Sequence, residues 1–177
     1  FVRYGRVLAA EYRSEKSKRA YVAVWFEDEQ GRGDYFSPEG NSVRRSFLKA
    51  PVKYSRISSR YSKARLHPVL HVRRPHEAVD YAAPVGTPVC SVADGKVVHV
   101  GWSGGLGRTV KVKHSNGYIT FYAHLSRFAK GLRVGQQVSQ KQLVGYVGMT
   151  GLASGPHLDF RIQKNGRFFD PLAVKFE

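Results

Sequence analysis

TVKVKHSNGYITFYAH, residues 109 to 124, alternates side-chain types on either side of a Ser115-Asn116-Gly117 break. Period-two alternation marks a strand with two distinct faces, and Asn-Gly supplies the positive φ angles of a tight turn, so the stretch predicts a β-hairpin. Along its second strand Tyr118, Thr120, Tyr122 and His124 share one face, while Ile119, Phe121 and Ala123 share the other. His124 therefore ends a polar face.

A second pattern lies on both sides of this hairpin. GTPVCSVADGKVVHVG (86–101) and GQQVSQKQLVGYVG (135–148) each run Gly, two residues, Val, then further Gly and Val before a closing Val-Gly. Such a repeat predicts a duplicated β motif that closes a sandwich or barrel. The expected fold class is all-β, a small antiparallel sandwich or barrel-like domain preceded by a small β-rich module.

Residues 1–58 read as that N-terminal β module with its linker, and 59–177 as the main domain. In the first part RYGRVLAAEY, AYVAVWF and RGDYF are strand-like runs divided by Gly, Pro and Asn breaks. NSVRRSFLKAP allows about one helical turn, capped by Asn41 or Ser42 and ended by Pro51. VKYSRISSRYSKARL is basic, Ser-rich and weakly patterned, and places the boundary near residues 52 to 62.

Hydrophobic residues make up 42% of the 177 positions, too many for a disordered chain. No apolar run approaches the roughly 18 residues of a membrane span, and no signal-peptide pattern is visible. Cys90 stands alone, so no internal disulfide forms. The formal charge of +16 is spread evenly: residues 1–66 hold 15 Lys and Arg against 7 Asp and Glu, and 67–177 hold 14 against 6. An even positive field attracts nucleic acid, an anionic membrane or an acidic cell-wall polymer without choosing among them.

Of seven histidines, three stand in informative positions. In RPHEAVDYAAP, His76 precedes Asp80 by four residues. Pro75, Pro84 and the run Val79-Asp80-Tyr81 predict a strand entered through a bend, which can bring both side chains onto one ion. In GPHLDF (155–160), alternation puts His157 and Asp159 on one face, about 6.6 Å apart at a rise of about 3.3 Å per residue. His124 is the strand-end histidine of the hairpin. Imidazole nitrogen and carboxylate oxygen are ordinary zinc donors, and a catalytic zinc takes three protein ligands and leaves a position for water. His71, His99 and His114 lack such context and are expected to be surface or satisfied core residues.

RPHEAVDYAAPVGTPV, ADGKVVHVG, NGYITFYAHLSRF, GQQV and GYVGMTGLASGPHLDF, in that order over about residues 65 to 172, resemble the LytM/lysostaphin-type (M23-like) zinc endopeptidases of bacterial cell walls. The N-terminal module is similar to the leader of Gram-negative, envelope-located members. The resemblance implies a small antiparallel β domain whose groove holds zinc, and hydrolysis of the peptide cross-links of peptidoglycan. It implies His76 and Asp80 as the first two ligands, and His124 and His157 as the residues that activate water and steady the oxyanion. It also implies a cell-envelope location, periplasmic or extracellular, with peptidoglycan as partner and no nucleic acid.

Three positions depart from the family pattern. The third ligand, the second histidine of an HxH motif, is Asp159 here. Ala78 replaces a glycine, which adds strain if the position needs positive φ. Arg161 stands where glutamate is common. If the family histidine binds through Nδ1, a carboxylate oxygen reaches nearly the same point, so Asp159 can complete a His/Asp/Asp site. Two carboxylates leave a Zn²⁺ site at net zero rather than +1, which makes bound water less acidic and shifts preference slightly toward Mn²⁺-like ions.

The expected function is peptidoglycan endopeptidase, with zinc or another divalent ion such as Mn²⁺ held by His76, Asp80 and Asp159. The alternative is a degenerate, non-catalytic domain that binds cell wall or regulates an envelope partner. Asp159 turned aside and engaged with an arginine, with the pocket vacant in ample divalent cation, would rule out the hydrolase. Nucleic-acid binding through Tyr122 and Trp102 is a weaker rival, since both aromatics are expected to pack in the β core.

Overall fold

The computed structural model describes residues 5–15, 18, 20–29, 31, 33–40, 43, 47–66 and 73–174, in two units, Phe1–Ser46 and Phe47–Glu177. In the first unit β1 (Ala9–Arg13), β2 (Ala20–Glu27) and β3 (Gly33–Phe36) form an antiparallel sheet in that order. Trp25 and Tyr35 meet edge to face across β2 and β3 with ring centroids 5.1 Å apart. Arg6 lies over the Trp25 ring and pairs with Glu27. No described residue of this unit is fully buried, so cross-strand aromatic pairing rather than a core holds the sheet.

The second unit continues with β4 (Arg56–Ser59), β5 (Ser62–Leu66), β6 (Arg73–His76), β7 (Val79–Ala82), β8 (Pro88–Cys90), β9 (Gly95–Trp102), β10 (Arg108–Lys113), β11 (Tyr118–Phe128), β12 (Gln137–Val138), β13 (Leu143–Val147), β14 (His157–Lys164) and β15 (Arg167–Phe169). A short 3-10 turn, Gly104–Leu106, precedes β10. The main sheet runs β12-β9-β10-β11-β14-β7-β4, with β15 paired to β14, and β5 pairs with β6 apart from it. The all-β, antiparallel expectation holds. No helix among the described residues is long and apolar enough to cross a membrane.

β10 and β11 are the hairpin of residues 109–124. Its turn closes with His114 N–H on the Tyr118 carbonyl at 2.8 Å and Gly117 N–H on the His114 carbonyl at 3.1 Å. Of Asn116 and Gly117, only the glycine takes positive φ, 80°. The polar face proves to be the inner one: Thr120 and Tyr122 are completely buried, and Tyr122 belongs to the main core. Their hydroxyls tolerate burial because each has partners. Val92 N–H donates to the Tyr122 hydroxyl at 3.0 Å, the two hydroxyls are 3.0 Å apart, and Thr120 Oγ1 lies 2.9 Å from His114 Nε2. A satisfied hydroxyl network can occupy a core position that polarity alone assigns to solvent. His114 is thus a satisfied core residue, as expected, whereas Trp102, expected to pack, is 62% exposed.

The sequence repeat has a physical counterpart. β8 pairs β13 and β12 pairs β9, so the short strand of each copy lies against the long strand of the other. Gly86 and Gly135 enter the two short strands with φ of 88° and 90°. Their N–H groups donate to the Val147 and Val97 carbonyls, both at 2.8 Å. From Leu125 onward β11 pairs with β13, and Val89, Val144 and Val147 share one core with Val97, Val110, Val112, Leu125, Leu158 and Phe160. Each fully buried aliphatic side chain of this cluster contributes about 1.5–3 kcal/mol relative to leaving it exposed.

VKYSRISSRYSKARL, expected as a boundary, instead supplies β4 and β5. Arg56, Ile57 and Ser59 pair with β7, and the Ser55 and Ser58 hydroxyls donate to the carbonyls of Ala82 and Asp80. These side-chain bonds dock an edge strand that has little apolar alternation. Phe47 and Val52 are buried in the same core, which is why the division between units falls ahead of the expected 58/59 boundary. The helical turn expected over residues 41–51 lies partly outside the described residues, and its described end, 47–50, is not helical.

Candidate metal centre

His76 is the last residue of β6. After a bend at Glu77 and Ala78 the chain continues as β7, where Asp80 lies directly opposite Asp159 of β14. Opposed residues of an antiparallel pair share a face with Cβ atoms about 4.5–5.5 Å apart, so strand register alone brings the two carboxylates together. The bend returns the His76 ring to them, with Nε2 3.2 Å from Asp80 Oδ2. One donor atom from each of His76, Asp80 and Asp159 lies within 4.8 Å of the others, and all three residues are buried. Ala78 is fully buried but does not have positive φ. The strain expected from its Cβ is therefore absent.

His124 reaches the centre by a break in alternation. Strand geometry would leave it on the core face with Thr120 and Tyr122, but its φ of 58° turns the chain. There the β10·β11 pairing shifts register between Arg108 and Val110. The ring comes to lie beside that of His157, centroids 4.8 Å apart. Nδ1 of His124 is 2.7 Å from the Thr150 carbonyl. A carbonyl oxygen can only accept, so Nδ1 carries the proton and Nε2 keeps its lone pair.

The same reasoning applies to His157, whose Nδ1 donates to the Gly155 carbonyl at 2.8 Å while Nε2 stands 3.9 Å from Asp80 Oδ1. Burial pushes the His124 pKa below the ordinary histidine value, outweighing the opposite pull of the Asp159 carboxylate and the Thr150 carbonyl. Its ring is neutral near pH 7.

Arg161, two residues beyond Asp159 on the same face of β14, closes the other side. Its Nε and Nη2 donate to Asp159 Oδ1 and Oδ2, each at 2.7 Å. A two-point fork of this kind is among the stronger polar contacts in proteins. Burial alone raises the Asp159 pKa, but the hydrogen bonds and charge of Arg161 overcome it, and the carboxyl stays below its usual range. Asp159 is thus engaged by an arginine without being turned aside, because it still faces His76 and Asp80. Counting imidazole as neutral, the two carboxylates and the guanidinium leave the cluster at −1.

Two other contributors gave little sign in the sequence. The Thr150 hydroxyl donates to the Leu125 carbonyl at 2.9 Å and accepts the Arg108 N–H at 3.0 Å, which fixes the carbonyl that orients His124. Gly148 bridges His157, and a Cβ there would stand 2.7 Å from the His124 carbonyl oxygen. Only a glycine lets these two histidine-bearing segments approach so closely. Arg161, by contrast, was readable from its two-residue spacing to Asp159.

One imidazole and two carboxylates suit a divalent ion of zinc's kind, and they are gathered closely enough to share one. On an antiparallel β-sheet, with the imidazoles of His124 and His157 alongside, such a cluster is the arrangement of a metal centre. The sequence matches the model of Peptidase family M23 over residues 74–171, and the chain belongs to that family. A metal ion is accordingly the expected occupant of the cluster.

The chain is 34% identical over 171 residues to the peptidoglycan DD-endopeptidase ShyC of Vibrio cholerae, a match covering 97% of this chain and 38% of that protein. It is 44% identical over 124 residues to the DD-carboxypeptidase/endopeptidase Mpg of Neisseria meningitidis, covering 70% and 28% respectively. The chain therefore spans about a third of the length of these curated relatives. Among solved structures it is similar to a zinc-containing peptidase from Vibrio cholerae, with a TM-score of 0.69 and 32% identity, covering 97% of this chain and 51% of that one.

Proposed function

We propose that the chain is the hydrolytic part of a peptidoglycan endopeptidase that works outside the cytoplasm, in the cell envelope. The observation that carries this reading is the convergence of His76, Asp80 and Asp159 donor atoms within 4.8 Å, beside two imidazoles that each present Nε2. Those three residues would hold zinc or another divalent ion such as Mn²⁺. When bound, the ion supplies Lewis-acid polarisation of a carbonyl and makes water more acidic.

The remaining work falls to this chain's own side chains. Nε2 of His124 or His157 accepts a proton from the attacking water and passes it to the departing amine nitrogen. The imidazolium so formed donates a hydrogen bond to the oxyanion. The relative named as a peptidoglycan DD-endopeptidase points to peptidoglycan, and the family resemblance to its peptide cross-links, as substrate. A net charge of +16 suits an anionic wall polymer.

A second reading, a non-catalytic domain that binds wall or an envelope partner, is favoured by one observation: both Asp159 oxygens already accept from Arg161. Digestion of purified sacculi separates the two. Zinc- or manganese-loaded protein is expected to release new peptide ends, seen by chromatography and mass spectrometry, with loss on chelation and in His76→Ala. Sacculus binding with no product in any arm establishes the second reading instead.

A further inference from the structure

We propose that Arg161 is a tethered cation that competes with the metal ion for Asp159, so that this centre loads its ion weakly and reversibly. The proposal rests on the metal-site reading above and adds a role for a residue outside the donor set. Arg161 is not a mobile surface side chain. Its own side chain is only 21% exposed, and that of Asp159 only 4%. It projects from β14 opposite Phe121 of β11, and its guanidinium lies 5.9 Å from the Phe168 ring centre. Phe168 is in turn braced against Phe121 at 5.6 Å. This aromatic wall holds the fork where both of its bonds to Asp159 are 2.7 Å.

An ion that approaches Asp159 must therefore use whichever lone pairs the fork leaves, or displace the fork. In the first case a positive charge stands one carboxylate away from a divalent cation, and like charges that close in a buried site repel strongly; in the second, both bonds of a buried fork must be broken first. With Arg161 the empty cluster carries −1, and without it −2. Loaded with a divalent ion, the same cluster carries +1 with Arg161 and zero without. The value of +1 is the one that two imidazoles and a single carboxylate would give. One residue thus weakens ion binding and restores the residual charge that Asp159 removes.

Zinc titration against a competing chromophoric chelator tests this on the full chain, with thermal unfolding in chelator run alongside. Arg161→Gln is expected to bind zinc at least ten-fold more tightly than wild type. Arg161→Lys should fall between them, because a single ammonium cannot occupy both oxygens. Equal or weaker zinc binding by these variants overturns the proposal. Arg161→Gln leaves Asp159 buried without its fork; if it unfolds in chelator, Arg161→Lys decides alone, and no gain in its affinity overturns the proposal. Binding is read without substrate, so an absence of peptide products, which removes the hydrolase reading, leaves this result standing, and the converse also holds.

Discussion

His124 occupies the left-handed region at φ 58°, a conformation that costs a residue with a side chain of order 1–3 kcal/mol. Two contacts offset the cost: the Nδ1–H bond to the Thr150 carbonyl at 2.7 Å and the packing of its ring beside His157. The return is a neutral ring held beside His157 and near enough to Asp159 to feel its charge. Asparagine tolerates positive φ better than most residues, so His124→Asn removes the imidazole while keeping the turn. The expected outcome is a fall in kcat of about 10² to 10⁴-fold, the usual contribution of a positioned acid–base group, with bound metal per chain unchanged. Metal loss in parallel with activity would make His124 a ligand instead.

At the scale of elements, β11 is the member on which the centre turns. Its first half pairs with β10 and β14, and beyond the turn at His124 it pairs with β13. Gly148 sits where these backbones crowd. Gly148→Ala forces the overpacking that a Cβ 2.7 Å from a carbonyl oxygen implies, at about 1–3 kcal/mol. In a chain of this size that lowers Tm by roughly 3 to 10 °C, and a larger loss of kcat than of stability is expected because both histidines ride on the displaced segments. An unchanged Tm would show that β11 and β14 can separate freely there.

The hairpin, the all-β class and the repeat were legible because alternation, Asn-Gly and the paired Gly-x-x-Val signatures are local. The approach of His76 to Asp80 through a bend was legible for the same reason. The inner placement of Thr120 and Tyr122 was not, since it depends on partners as distant in sequence as Val92. Nor was the turn that carries His124 off the core face, because no residue type announces it. The docking of β4 was hidden because serine hydroxyls bonded to the Asp80 and Ala82 carbonyls, rather than an apolar stripe, hold it in place.

For the molecule as a whole, the inner hydroxyl network sets a limit on acid stability. His114 is 4% exposed and stacks edge-on against Phe47 at 4.8 Å. Its Nδ1–H donates to the Asp94 carbonyl at 2.7 Å, so in the neutral ring Nε2 must accept from the Thr120 hydroxyl 2.9 Å away. Thr120, having given up its proton, takes one from Tyr122, and Tyr122 accepts from the Val92 N–H. Each donor in this chain has one acceptor, and a second proton on His114 would reverse the two bonds that run through the Thr120 hydroxyl.

Burial pushes the His114 pKa down, against the smaller upward pull of the Asp94 carbonyl and carboxylate. The unfolded chain therefore takes up a proton at a pH where the folded one does not. The stabilisation is complete above the unfolded histidine value of about 6.5 and is lost as pH falls from there through the depressed folded value. One such group contributes a slope of at most about 1.4 kcal/mol per pH unit. His114→Gln, which does not titrate, should lower Tm near pH 7.5 through the altered network. Its Tm should then fall less steeply than wild type as pH drops below about 6.5. Parallel Tm–pH curves for the two proteins would place the acid sensitivity elsewhere, with His124 as the other buried imidazole whose pKa is lowered by the same cause.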